Sequence, residues 1–329
     1  MSVEIVQIGL TNRCNSDCFF CFRKELEAYG GDKKKIDLSF DLIEKVVNTE
    51  TVKEIQLCSN TGEVLFHPDV EKIIDLIKSK NLILSINTNG SRFSYEWWFD
   101  LGKKMMGEGQ IIFALDGFKY EHEFYRRTNW DDVMNNMKAF IKGGGHAIWQ
   151  MILFKHNQHQ ISSVKTMAKI IGCEEVWIIN SRTYNEKYER PTTDFNKTKL
   201  EMVAEKFLKN INIIIECEFL YGRRVYLATD GQVWPCCHSR CHFGFDERSS
   251  PTHPMTIKRK EEKDFINLKN NDLNYIVENS KLFKLMFDLI KIPYDTTTTY
   301  SRQLNGLCLK HCNTEIEGKN RRRIIINNV

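Results

Sequence analysis

Three cysteines stand within one short stretch, Thr11-Asn12-Arg13-Cys14-Asn15-Ser16-Asp17-Cys18-Phe19-Phe20-Cys21, with three and then two residues between them. Thiolates so close together, on a loop leaving the apolar segment Ile5–Leu10, can converge on one metal centre. Iron–sulfur clusters are usually held by four cysteines, whereas this loop offers three. The spacing alone leaves three readings open: an iron–sulfur cluster, a zinc site completed from elsewhere, or free thiols in a turn. A second group follows far downstream at Cys217, Cys236, Cys237, Cys241, Cys308 and Cys312.

Composition narrows the setting. With 329 residues the chain can bury a sizeable core in one large domain or in a large one plus a small one. A net charge of +4 is too small to argue for a nucleic-acid partner. No apolar run reaches the roughly 18–20 residues of a membrane span. Met1-Ser2-Val3-Glu4 lacks the basic and apolar regions of a signal peptide. The expectation is a cytoplasmic protein, and eleven cysteines in a reducing compartment point to metal ligation more than to disulfides.

The elements that must position the cysteines alternate between strand and helix. Ser39 is the expected N-cap of a helix through Leu42, Ile43, Val46 and Val47. Strands are expected at Lys53–Cys58, Leu82–Asn87, Gln110–Leu115, Ala147–Phe154 and Glu175–Ile179. Helices fall between them after Pro68 and near Trp97–Met106, Asp131–Lys142 and Ile161–Ile171. Such alternation implies right-handed βαβ units and a parallel sheet whose ligand edge lies at the strand C-termini.

In this setting Cys14-x-x-x-Cys18-x-x-Cys21 resembles the signature of the radical S-adenosylmethionine (SAM) enzymes. The resemblance implies that the three thiolates hold a [4Fe–4S] cluster whose fourth iron takes the amino and carboxylate groups of SAM. Reductive cleavage of SAM then gives a 5′-deoxyadenosyl radical that removes a hydrogen atom from the substrate. It also implies an α/β fold, a partial (β/α)6 barrel with a parallel sheet, over residues 1–182. Phe19, Phe20 and Phe22 suit a dry wall around the cluster.

The family's features extend to the strand ends. Thr61-Gly62-Glu63 occupies the place of the Gly-Gly-Glu motif that lies against the SAM amino group, with a turn and a helix-start carboxylate as the structural alternative. Asn87 and Asn89, before Gly90, end the third strand, where side chains in this family often approach SAM; an Asn-Gly turn explains them equally. Ala114-Leu115-Asp116-Gly117 resembles the Ser-(Ile/Leu)-Asp-Gly of peptide-modifying members, but alanine removes the serine contact. Arg126 matches an arginine that reaches the SAM carboxylate, with Arg127 beside it.

From Thr183 to Asn196 the chain turns polar and is expected to leave the barrel, with residues 183–210 forming a linker and a bridging helix near Lys199–Lys209. Val225–Trp234 reads as a hairpin with an Asp230-Gly231 turn. Cys217-x13-Gly231-x4-Cys236 resembles the opening of the SPASM and Twitch extensions. The resemblance implies a small α+β domain over 211–329 holding an auxiliary [4Fe–4S] cluster through Cys217, Cys236, Cys308 and Cys312. Cys237 is left as a spare thiol or, with Cys241, His238 and His242, part of a zinc site. Cys58 and Cys173 read as small buried hydrophobes. A helix near Asp272–Ile290 is expected, and Lys319–Arg323 reads as a solvated basic run before Ile324–Ile326.

The expected function is therefore hydrogen abstraction from an unactivated carbon of a peptide or small metabolite, with net oxidation assisted by the auxiliary cluster. An external donor of the flavodoxin or ferredoxin type would supply electrons. The barrel begins near residue 4, with no leader-peptide domain before it, which favours a small molecule or a free-standing peptide. The rival is a zinc-stabilised, cysteine-rich binding module without SAM chemistry.

Overall fold

Six parallel strands form the sheet in chain order: β1 (Ile5–Ile8), β2 (Glu54–Leu57), β3 (Ile83–Thr88), β4 (Gln110–Ala114), β5 (Ala147–Leu153) and β6 (Glu175–Asn180). The computed structural model describes residues 2–28, 34–181, 183–192, 214–217, 219, 223–245, 250–291, 313–315 and 324–325. Between the strands lie helices α1 (Phe22–Ala28), α2 (Phe40–Val47), α3 (Val70–Ser79), α4 (Tyr95–Lys104), α5 (Lys119–Arg126), α6 (Trp130–Lys142) and α7 (Ile161–Ile170). Two of these, α1 and α5, have no counterpart in the sequence expectations. Ser39 precedes α2 as expected, but its hydroxyl makes no capping bond.

Successive side chains of a strand point to opposite faces, so the register separates two surfaces. One line across the sheet runs Ile8, Leu57, Ile86, Ile111 and Ala147, all within the main core that the helices cover. The neighbouring line runs Gln7, Gln56, Ser85 and Gln110. Strands buried on both faces would be apolar throughout. Here one face is polar, with Ile112, Ile148 and Trp177 forming a small apolar patch separate from the main core. This is the parallel α/β architecture of a partial barrel: helices outside, a largely polar face inside.

The sheet does not stop where the barrel was expected to end. β8 (Arg224–Leu227) pairs in parallel with β1, and β9 (Val233–Trp234) folds back on β8 around Gly231, whose φ is +82°. The Asp-Gly hairpin is thus present, but as a continuation of the main sheet. At the far edge β11 (Ile324–Ile325) pairs antiparallel with β6. The resulting order is β11-β6-β5-β4-β3-β2-β1-β8-β9, and β7 (Ile214–Glu216) pairs separately with β10 (Asn313–Glu315).

Three other expectations change. Residues 183–192 lie back over the end of β5: Lys155 N–H donates to Glu189 O, Gln158 pairs twice with Thr192, and Tyr188 donates to Phe124 O. The helix expected near Asp272–Ile290 is two, α10 (Leu273–Asn279) and α11 (Lys281–Lys291). Ser280 divides them, because its hydroxyl accepts from the Leu282 and Phe283 amides and donates to Glu262. Helices α8 (Cys237–Phe243) and α9 (Pro254–Glu261) precede them, neither of them foreseen. The expected helix near Lys199–Lys209 and the Lys319–Arg323 run lie outside the described residues.

No helix among the described residues is long and apolar enough to cross a membrane. Trp149 is fully buried on the helix side, with its indole N–H bonded to Leu115 O at 2.8 Å. Trp149→Ala should cost about 3–5 kcal/mol, read as a lower denaturant midpoint with an unchanged m-value.

Candidate functional site

The cysteine loop leaves β1 and is clamped at once. Thr11 Oγ1 donates to Asp37 at 2.6 Å, and the Arg13 guanidinium grips both Asp37 oxygens at 2.7–3.0 Å. From the end of β2, Ser59 Oγ donates to Thr11 O, and Glu63 N–H donates to Arg13 O at 2.7 Å. Gly62 lies so close to this loop that a Cβ there would stand 2.2 Å from Thr11 O and 2.8 Å from Arg13 O. Only glycine permits the approach.

Glu63 is buried, and its carboxylate is occupied inside the protein. Oε1 accepts from Thr88 Oγ1 at 2.7 Å and from Leu65 N at 3.3 Å, and Oε2 accepts from Asn89 N at 2.6 Å. Burial raises its pKa and these three bonds oppose the rise. Asn89 continues the chain of contacts. Its Nδ2 donates to Ser16 Oγ at 2.7 Å and Asn15 Oδ1 at 2.9 Å, and its Oδ1 accepts from Ser91. Asn87 is half-buried on the polar face beside Ile112, with no side-chain hydrogen bond among the described residues.

The other side of the loop meets α5. Asp17 N–H donates to Arg126 O, and Arg126 Nε donates to the fully buried Asp116 at 2.6 Å. Asp116 also accepts from Ile152 N at 2.7 Å. The terminal nitrogens of Arg126 make no hydrogen bond among the described residues. Burial works against its charge, but Asp116 and Cys18 more than offset this and raise its pKa. His122, beneath, accepts from Asp116 N at Nδ1, which places its proton on Nε2 toward Thr128 Oγ1. Burial first, then Arg126, lowers its pKa to about 3.

The thiols themselves are half-buried. Burial raises the pKa of Cys14, and that of Cys18 to about 11, with the neighbouring thiols adding to both. No three ligand side chains among the described residues gather tightly enough for a single metal ion. Cys18 and Phe20 pack against Tyr125, Phe154 and Tyr188, so the loop has an aromatic wall.

Residues 8–165, the cysteine loop and the strands that hold it, match the Radical SAM superfamily model. This stretch of the chain is a radical SAM domain. It is 24% identical over 250 residues to a probable GTP 3′,8-cyclase of Methanothermobacter marburgensis, covering 69% of this chain and 73% of that protein. Among solved structures it resembles Streptococcus suis SuiB bound to S-adenosylmethionine, at 14% identity and a TM-score of 0.59, over 95% of this chain and 70% of that one. It also resembles anSMEcpe with bound AdoMet, at 15% identity and a TM-score of 0.59, over 94% and 93% of the two chains.

Beyond the radical SAM domain the second cysteine set is only partly described. Cys217 and Cys236 are buried. Cys236 Sγ accepts from Ser239 N at 3.2 Å and caps α8. Cys237 and Cys241 lie one turn apart on α8 and are also buried. With burial and Cys58 they raise the pKa of Tyr226. Cys308 and Cys312 lie outside the described residues. Cys173 is the buried small residue expected, donating to Ala147 O and Glu175 O, whereas Cys58 is half-buried at the end of β2. Sequence reasoning missed Asp37, whose partners Thr11 and Arg13 are distant in the chain, and His122, which itself lies on an unforeseen helix.

Asn89→Ala should leave Ser16 and Asn15 without their donor, cost about 1–3 kcal/mol, and lower the iron retained after anaerobic reconstitution and gel filtration. His122 gives a pH test. Its folded pKa lies below the unfolded value near 6.5, so the unfolded chain binds the extra proton and stability falls as pH drops from about 6.5 toward about 3. The slope is about 1.4 kcal/mol per pH unit for one proton, and His122→Gln should remove that share in urea titrations of the cluster-free protein.

Proposed function

We propose that this chain is a radical SAM enzyme acting on a peptide or small metabolite, with Cys14, Cys18 and Cys21 as the ligands of a [4Fe–4S] cluster. The observation that carries this reading is the cysteine loop fastened to the ends of β2 and β3 and to α5, beside an arginine with its fork unoccupied. Three thiols within one short loop suit a polynuclear centre in which each would take a different iron. When bound, the cluster and SAM supply one-electron cleavage to a 5′-deoxyadenosyl radical that removes hydrogen from carbon.

The chain's own residues bind, aim and exclude water. Arg126 offers its terminal nitrogens to the SAM carboxylate, while Asp116 and His122 hold its orientation. The Glu63 carboxylate ties the ends of β2 and β3 while its amide holds the loop, and backbone carbonyls of the 61–62 segment would accept from the SAM amino group. Asn89 holds Cys14's end of the loop, and Asn87 approaches the ligands from the polar face of the sheet. Phe20, Tyr125, Phe154 and Tyr188 keep the Cys18 side dry.

Residues 211–329 are proposed as a SPASM/Twitch-like domain with an auxiliary cluster on Cys217, Cys236, Cys308 and Cys312. A fully ligated cluster has no open iron for substrate, so it would accept the second electron and give net oxidation. The relatives named as GTP 3′,8-cyclases keep a nucleotide among the small-molecule candidates, and a cytoplasmic setting suits the oxygen-sensitive chemistry.

Anaerobic reconstitution with iron and sulfide, followed by SAM and dithionite, should yield 5′-deoxyadenosine. Replacing Cys14, Cys18 and Cys21 by alanine should abolish that product and leave about four irons per chain. Zinc without acid-labile sulfide in protein purified under strict anoxia would support the binding-module rival instead. Loss of all iron from the triple variant would remove the auxiliary cluster.

A further inference from the structure

The polar face of the sheet holds a cavity at the end opposite the cysteine loop. The parallel strands all run toward that loop, so their first residues lie at the far edge. Glu54 begins β2, Gln110 begins β4, and Ser85 stands beside Gln110 in register. With His146 and Glu174, just before β5 and β6, they line a cavity of about 470 Å³ whose rim at Gly107, Gly109 and Gly144 is bare backbone. One register step nearer the loop, Ile112 and Ile148 stand side by side and pack on Trp177, all three at most 7% exposed. This apolar layer lies between the cavity and the loop end on β4, β5 and β6.

Two kinds of unmet demand meet in this cavity. Ser85 is 4% exposed, accepts only a long bond from Gln110 Nε2 at 3.4 Å, and its hydroxyl donates to nothing among the described residues. A buried donor without an acceptor is costly. His146 Nε2 is likewise shielded from solvent without a hydrogen bond, 3.5 Å from Glu174 and 3.8 Å from Glu175. No lysine or arginine pairs with Glu54, Glu174 or Glu175 among the described residues. Glu54 accepts from the Gln56 amide at 2.6 Å and Glu175 from the Trp177 indole at 2.7 Å, neutral donors that leave both charges in place. Other charges at this end are engaged elsewhere or face solvent. Lys78 pairs with Glu108, Lys53 and Arg223 with Glu4, and Lys104 with Asp75. Arg224, two strands from Glu54, lies over the Phe219 ring at 5.5 Å, and Lys80, Lys142 and Lys169 are exposed.

We propose that this cavity binds a small cationic amine that carries a neutral hydroxyl or carbonyl oxygen. The ammonium group donates to Glu54 and Glu174, and the oxygen accepts from the Ser85 hydroxyl and the Gln110 amide. Charge-assisted bonds of this kind are the strong ones. A ligand with its own carboxylate is repelled by the same two glutamates. No three ligand side chains among the described residues gather for a metal ion, so the cation is organic. The site uses none of the thiols or the residues assigned to SAM, and it stands apart from the radical SAM reading.

Saturation-transfer NMR titrations of the full chain, with and without its cluster, test the site with three probes. 1,3-Diamino-2-propanol should bind saturably. 1,3-Diaminopropane, which lacks the hydroxyl, should bind about three- to tenfold more weakly, and glycerol, which lacks charge, should not bind. Glu54→Gln should weaken both amines by about tenfold or more while the urea midpoint holds. Ser85→Ala should bring the two amines within about twofold of each other, whereas a merely loosened fold would weaken both alike and keep their ratio. Excess SAM should leave the affinity unchanged. Competition by SAM would move the amine to the loop end and overturn the proposal. Undiminished binding to the Glu54→Gln protein would overturn it too, as would glycerol binding as well as the amines, or no saturable binding by any probe, which would mean a cavity that holds water alone.

Discussion

Glu63 and the glycine before it set the condition on which the site depends. The carboxylate is buried and accepts from Thr88, Leu65 and Asn89, so the ends of β2 and β3 are tied through one side chain. Gly62 lets that tie press against the backbone of the cysteine loop. Asn89 then reaches from the same junction to Ser16 and Asn15. A buried carboxylate is costly unless its hydrogen bonds are made. The cost works in one direction: loosening either strand end would strand the charge, and the loop is fastened to that junction through the Glu63 amide and Asn89.

A second buried charge governs the opposite side. Asp116 is fully enclosed and balanced by Arg126, with the Ile152 amide as a further donor. Such pairs contribute little net stability but fix geometry. Here the geometry is a guanidinium held at Nε near Cys18, its terminal nitrogens making no hydrogen bond among the described residues. His122 supports the arrangement in its neutral form, because a charged ring under Arg126 would be repelled and poorly solvated. The two sides are thus built alike: a buried carboxylate orders backbone, and its partners face the thiols.

Much of this was legible. The six strands announce themselves by apolar runs between turn residues, and the cysteine spacing by its motif. Elements with weak periodicity were not. α1 buries only Leu26, and α5, Lys-Tyr-Glu-His-Glu-Phe-Tyr-Arg, buries only His122 and Tyr125. Neither offers the repeating apolar stripe that marks a packed helix. Ser280 interrupts a continuous helical pattern through local bonds that compete with the helix, and only its contact with Glu262 makes the break worthwhile.

The sequence by itself determined the alternation of strands and helices, the Asp-Gly hairpin and the thiol set Cys14, Cys18 and Cys21, because these rest on local periodicity and spacing. Tertiary structure alone decided that the hairpin joins β1 and lengthens the sheet, that residues 183–192 return over β5, and that the Glu63 carboxylate ties the end of β2 to that of β3. Those outcomes depend chiefly on hydrogen bonds between residues far apart in the chain. Their donors and acceptors are visible in the sequence, but which of them meet is settled only when the strands stand side by side.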